Sequence, residues 1–117
     1  MLYLVIRGIN MSYSLLAISI FFEICGTVCM KISDGYSNIS ASLMIFVFYG
    51  ISFSIFPFAL KNIDVSLAYA IWSGVGTASM TLIGVYYFKE PATTIKMVSI
   101  FIVMAGVLGL NLSDKLA

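Results

Sequence analysis

The sequence predicts an all-α membrane protein whose protomer is four transmembrane helices, and three observations carry that expectation. Of the 117 residues, 62% are hydrophobic and only 9% are charged, against about 25% charged in an ordinary globular domain. Mean hydropathy is +1.09. The apolar residues also gather into four runs, each close to the roughly 20 residues a helix needs to cross a bilayer. The helices are expected at about 12–31, 40–60, 65–88 and 94–112, forming a single domain over 12–113. The breaks are polar and turn-like: Ser33–Asn38 with its Asp34–Gly35 pair, Lys61–Asp64, and Lys89–Thr93 with Pro91.

Residues 1–11 read as an N-terminal extension, apolar but too short to span, with Met11 as an alternative start of translation. A signal peptide fits poorly, because no small-residue cleavage site follows and Glu23 interrupts the apolar core. Glu23 is the most informative residue of the first helix. A carboxylate near the middle of a span costs roughly 3 kcal/mol on insertion scales and is ordinarily kept for function. A structural ion pair is the alternative, but no other expected span carries Lys or Arg near its centre. In apolar surroundings a carboxylate can hold either a proton or a cation, and that competition is the kernel of proton-coupled transport. Leu16, Ser19, Ile20, Gly26, Thr27 and Met30 share its side of the helix. Ser19 and Gly26 leave room there for a ligand, or equally permit tight helix packing. Cys25 and Cys29, four apart on a continuous helix, suit neither a zinc site nor a disulfide framework and read as small packing residues.

The second helix is rich in aromatics. Tyr49, Phe53 and Phe56 form one face, Tyr49 brings a hydroxyl to membrane depth, and Pro57 is expected to kink the helix near its end. The third holds the densest signal, Ala68-Tyr-Ala-Ile-Trp-Ser-Gly-Val-Gly76, with Tyr69, Trp72 and Gly76 on one face. Aromatic faces near a carboxylate hold lipophilic or quaternary cations, cation–π contact adding about 2 kcal/mol when desolvated. An interfacial belt is the alternative, but Trp72 lies deep in its span. Gly74 and Gly76 are expected flexing points. On the fourth helix Ser99, Val103 and Gly106 form a groove for a second helix and read as a dimer contact. Residues 114–117 are left as a C-terminal tail.

The charges bear on topology. With four spans, Arg7, Lys61 and Lys115 fall on one side and Lys31, Lys89 and Lys96 on the other. Three against three gives the positive-inside rule nothing to decide, which predicts dual topology: copies inserted both ways and paired as an antiparallel dimer. Such a pair supplies the inverted repeat that alternating access uses. A net charge of +1 without basic runs argues against nucleic-acid binding. The sequence holds no His, no metal cluster, no nucleophile–base pair and no phosphate loop, so neither an enzyme nor a bound metal or cofactor is expected; protons are the coupling ion.

These residues resemble the small multidrug resistance family of bacterial inner-membrane transporters. The likeness runs from Met11 to Ser113 and is carried by Glu23 with Gly26-Thr27 and Lys31, by Ser33-Asp-Gly-Tyr36, by Ala68–Gly76, and by Ala105-Gly-Val107 with Asn111. The resemblance implies an antiparallel homodimer in the bacterial inner membrane that exchanges cytoplasmic cations for protons, multidrug and quaternary-ammonium compounds among them. It makes Glu23 the shared proton and substrate site and Tyr69 and Trp72 the aromatic lining of the cavity. It adds Tyr13, Thr27, Tyr49, Phe53 and Ser73 as further substrate-binding positions. Gly74 and Gly76 match the family's kink in the third helix, and Gly106 its dimer contact. Two departures keep alternatives open. Ser99 stands where family members usually have Gly. Asp64 replaces a loop Pro and is similar to polyamine exporters that work as paired heterodimers. The guanidinium branch usually has a Trp soon after the glutamate, whereas Gly26-Thr27 resembles the quaternary-ammonium branch. Polyamine or guanidinium export therefore stands as the second reading, and a non-transporting subunit of a membrane complex as a third.

Overall fold

The computed structural model of the chain describes residues 1–116 and, at 114, the backbone alone. Among the described residues it is all-helical: α1 Leu2–Ser33, α2 Ile39–Ala59, α3 Val65–Tyr86 and α4 Thr94–Leu116. All four are long and apolar enough to cross a membrane, as the composition predicts. The chain divides into two units, residues 1–65 and 66–117.

The first unit is the α1–α2 hairpin. Its first helix departs from the expected 12–31, because the extension is not separate: α1 is continuous from Leu2. Nothing in the first eleven residues breaks the backbone ladder. Asn10 and Ser12 do not cap a new helix there; the Asn10 carbonyl accepts a bond from Ser14 Oγ at 3.0 Å. At 32 residues the helix is about 48 Å long, well beyond the roughly 30 Å hydrocarbon of a bilayer. The loop after α2 holds its early turns. Asn62 Nδ2 donates to the Gly8 carbonyl at 3.3 Å and to Ser12 Oγ at 3.1 Å.

The turn from α1 to α2 is built on Ser33. Its hydroxyl donates to the Met30 carbonyl at 2.8 Å and accepts from the Tyr36 backbone N–H at 3.3 Å. Asp34, Gly35 and Tyr36 are all left-handed, at φ 48, 67 and 69. Such a run reverses the chain in few residues, and Gly35 takes its left-handed φ without the strain a side chain would add. Asn38 then caps α2, its side-chain oxygen accepting from the Ala41 N–H at 3.1 Å. The helix continues through Pro57 to Ala59. Leu16 and Ile20 of α1, Ala41, Ile45 and Ala59 of α2, and Ile63 beyond it are buried.

In the second unit α3 runs unbroken through Gly74 and Gly76 and stops at Tyr86, two residues short of expectation. Tyr87 N–H returns to the Ile83 carbonyl at 2.8 Å, and Glu90 N–H to the Gly84 carbonyl at 2.9 Å. Lys89 takes φ 59, and its ammonium donates to the Tyr86 carbonyl at 3.3 Å, which suits the negative end of the helix. Gly84 is bare because the Glu90 carboxylate lies against it, one oxygen 2.6 Å from where a Cβ would stand. Thr93 Oγ1 accepts from the Lys96 N–H at 3.1 Å and caps α4. That helix outruns the expected 94–112 into the tail; the last tail residue, Ala117, lies outside the described residues.

Candidate proton and cation site

Glu23 sits half-buried on α1, one helical turn before Thr27. The i, i+4 spacing brings the two side chains together, and Thr27 Oγ1 donates to Glu23 Oε1 at 2.9 Å. Thr27 Oγ1 also lies 2.7 Å from the Tyr49 hydroxyl of α2. Tyr49 OH in turn donates to Met30 Sδ at 3.4 Å. A carboxylate, two hydroxyls and a thioether thus form one row across the α1–α2 seam. Phe53 packs edge-on to the Tyr49 ring with centroids 5.9 Å apart.

Gly26 is what allows this arrangement. A Cβ built on it would stand 2.5 Å from both Cδ1 and Cε1 of Tyr49. The ring therefore lies directly across the bare backbone, and its hydroxyl reaches Thr27.

Ser19 is placed differently from its expected role beside a ligand. It is 0% exposed, as is Ser52 of α2. Ser19 Oγ donates to the Ser52 carbonyl at 2.8 Å and Ser52 Oγ to the Ser19 carbonyl at 2.7 Å. A buried hydroxyl needs a partner; here each serine supplies one for the other, and both are consumed by helix pairing.

Of the remaining expected positions in this unit, Tyr13 and Phe53 are exposed. On α3, Tyr69 is 67% exposed, Trp72 half-buried and Ser73 exposed. Gly74 and Gly76 are buried within a continuous helix. Gly74 works as a close contact with α4: a Cβ there would meet Val107 Cγ2 at 2.7 Å and Val103 Cγ1 at 3.6 Å. Val103 thus packs toward its own α3, whereas Gly106 faces open space and Ser99 is exposed. No group of three or more His, Cys, Asp or Glu able to hold a metal occurs among the described residues.

The sequence reading missed Ser52, Met30's place in the row, and Asn62. Ser52 and Ser19 are 33 positions apart, and no local pattern pairs residues at that separation.

Comparison with known proteins agrees with the resemblance in the motifs. The family model described as Small Multidrug Resistance protein matches residues 11–103. An uncharacterized membrane protein of Bacillus subtilis, YvaE, is 42% identical over 107 residues, covering 92% of this chain and 90% of YvaE. The multidrug resistance protein EbrA of Bacillus subtilis is 36% identical over 99 residues, 85% of this chain and 94% of EbrA. The quaternary ammonium compound-resistance protein QacC of a Staphylococcus species is 33% identical over 102 residues, 87% of this chain and 95% of QacC.

Proposed function

The chain belongs to the small multidrug resistance family, a multi-pass protein of the bacterial inner membrane, and we propose that it is a proton-coupled antiporter exporting lipophilic or quaternary-ammonium cations by alternating access in an antiparallel dimer. The observation that carries this reading is Glu23 on a membrane-crossing helix, half-buried and met by a hydroxyl from Thr27. Hydroxyl donors hold a carboxylate in place without neutralising it, so its charge stays available for an exchangeable partner. The relatives named for multidrug and quaternary-ammonium resistance support the choice of cargo.

In this mechanism a cation entering from the cytoplasm displaces protons from the two Glu23 side chains of the dimer. The protomers exchange conformations, and protons from outside displace the cation. Each unit of pH difference contributes about 1.4 kcal/mol per proton, so an inward proton gradient drives export. Tyr69 and Trp72 would add cation–π attraction for cargo with an aromatic or quaternary surface, a role that rests on the motif Ala68–Gly76.

The test is tetraphenylphosphonium binding to the purified, detergent-solubilised protein from about pH 5 to about pH 9, for wild type and Glu23→Gln. Protons and the cation compete for one carboxylate, so wild-type binding should strengthen as pH rises and protons leave. Glu23→Gln, which can neither ionise nor exchange, should bind at least about tenfold more weakly, a loss of about 1.4 kcal/mol, and show no pH dependence. Binding in the Gln variant that still rises with pH would end the assignment of Glu23. No wild-type binding at any pH would redirect the cargo to guanidinium or polyamine cations, or point to a missing partner chain.

A further inference from the structure

The contacts along the Glu23 row contain a counting problem. Glu23 Oε1 and Thr27 Oγ1 are 2.9 Å apart, Thr27 Oγ1 and Tyr49 OH 2.7 Å, and Tyr49 OH and Met30 Sδ 3.4 Å. A thioether sulfur can only accept, and so can an ionised carboxylate. The two hydroxyls between them own one proton each. Three contacts need three protons, and within the row the third can come only from the Glu23 carboxyl.

We propose that Glu23, Thr27, Tyr49 and Met30 form a hydrogen-bond relay whose direction reverses with the proton on Glu23, and that Met30 is the positioning residue that completes its protonated arrangement. With Glu23 ionised, Thr27 turns its O–H to the carboxylate, Tyr49 turns its O–H to Thr27, and the sulfur receives no bond from Tyr49. With Glu23 protonated, the carboxyl donates to Thr27, Thr27 donates to Tyr49, and Tyr49 donates to Met30. No proton passes from one oxygen to another inside the row. Each hydroxyl only turns about its C–O bond, and the single proton gained or lost is the one Glu23 exchanges with water. This inference rests on the reading of Glu23 as the exchanging carboxylate.

The surroundings leave few competitors for that role. Tyr49 is the one ionisable side chain of α2, the helix packed against α1 in this unit. On α1 the nearest ionisable neighbours of Glu23 are Cys25 and Cys29, followed by Lys31 in the last turn. The sulfur of Met30 is a weak acceptor, but it is the one partner of the relay that matters in only one protonation state. Gly26 holds the geometry, since the Tyr49 ring lies where a Cβ would stand.

Two substitutions should therefore move the pH midpoint of tetraphenylphosphonium binding in opposite directions. Met30→Leu keeps the volume and removes the acceptor used only when Glu23 is protonated. The proton then leaves more readily, and half-maximal binding moves to lower pH by about half a unit. Thr27→Val removes the donor to the ionised carboxylate, a stronger charge-assisted bond, and moves the midpoint to higher pH by about one unit. A direct readout uses tyrosine labelled with carbon-13 at Cζ, the Tyr49 signal being identified by its loss in Tyr49→Phe. In wild type that resonance should shift with the same midpoint as cation binding; in Thr27→Val it should cease to follow it. A midpoint unchanged in Met30→Leu, or a wild-type Tyr49 resonance that stays flat through the binding transition, overturns the relay while leaving Glu23 as the exchanging group. Wild-type binding that is itself indifferent to pH overturns both.

Discussion

At position 26 one methyl group separates two arrangements of Tyr49. A Cβ there would stand 2.5 Å from two ring carbons, well inside van der Waals contact, and the backbone of a helix cannot yield. Gly26→Ala should swing the ring away and open the 2.7 Å contact with Thr27. Ala gains about 1 kcal/mol in helix propensity over Gly, which offsets part of the lost packing, so stability should change little while pH-dependent cation binding weakens. Truncating the ring removes the obstacle, so Gly26→Ala should cost less in a Tyr49→Ala background. A coupling of about 1–2 kcal/mol is expected from detergent unfolding of the four proteins; strictly additive effects would mean that the ring does not depend on the bare backbone. Glu23 was legible in the sequence because one charge in an apolar run needs no partner to be noticed. Thr27 was legible because helical spacing alone brings it to Glu23. The Tyr49 hydroxyl was foreseen at membrane depth, but its contact with Thr27 depends on how two helices meet. In the sequence Met30 is only one of several residues on Glu23's side of the helix, and nothing there singles out its sulfur.

The α1–α2 pair shows the same division between helix and helix contact. Hydropathy located both spans, and Asn38 and the Asp34–Gly35 turn marked where one ends and the next begins. The start of α1 was not legible, because an apolar stretch too short to span by itself looks separate in sequence, whereas the helix runs on from Leu2 and its early turns bond to the loop after α2. Ser19 was misplaced for a related reason: sharing a helix side with Glu23 does not distinguish a residue facing a ligand from one facing α2. Its reciprocal bonds with Ser52 predict that Ser19→Ala and Ser52→Ala each lower the stability of the hairpin by about 1 kcal/mol. The double substitution should cost less than the sum, since the two serines serve one contact. Because neither hydroxyl is exposed, cation affinity should change less than about twofold, which is about 0.4 kcal/mol. A tenfold loss of affinity in Ser19→Ala at unchanged stability would return Ser19 to the binding surface.

For the whole molecule the controlling quantity is charge balance, which belongs to no single helix. Arg7, Lys61 and Lys115 oppose Lys31, Lys89 and Lys96 across a four-span chain, and positive residues near span ends set orientation. If the working unit is an antiparallel dimer, each cell must insert copies both ways, and an even count is what permits it. Lys31→Gln with Lys89→Gln leaves the excess on the side of the termini and should place both termini in the cytoplasm. Arg7→Gln with Lys61→Gln should place them outside. C-terminal fusions to green fluorescent protein, which fluoresces only inside, and to alkaline phosphatase, active only outside, read the orientation directly. Wild type should give both signals and each variant one. Because an antiparallel pair needs one copy of each orientation, either variant alone should lose cation resistance, and co-expression of the two should restore it. Full resistance from a single variant with a single orientation would show that parallel copies suffice, and would remove the inverted repeat from the mechanism.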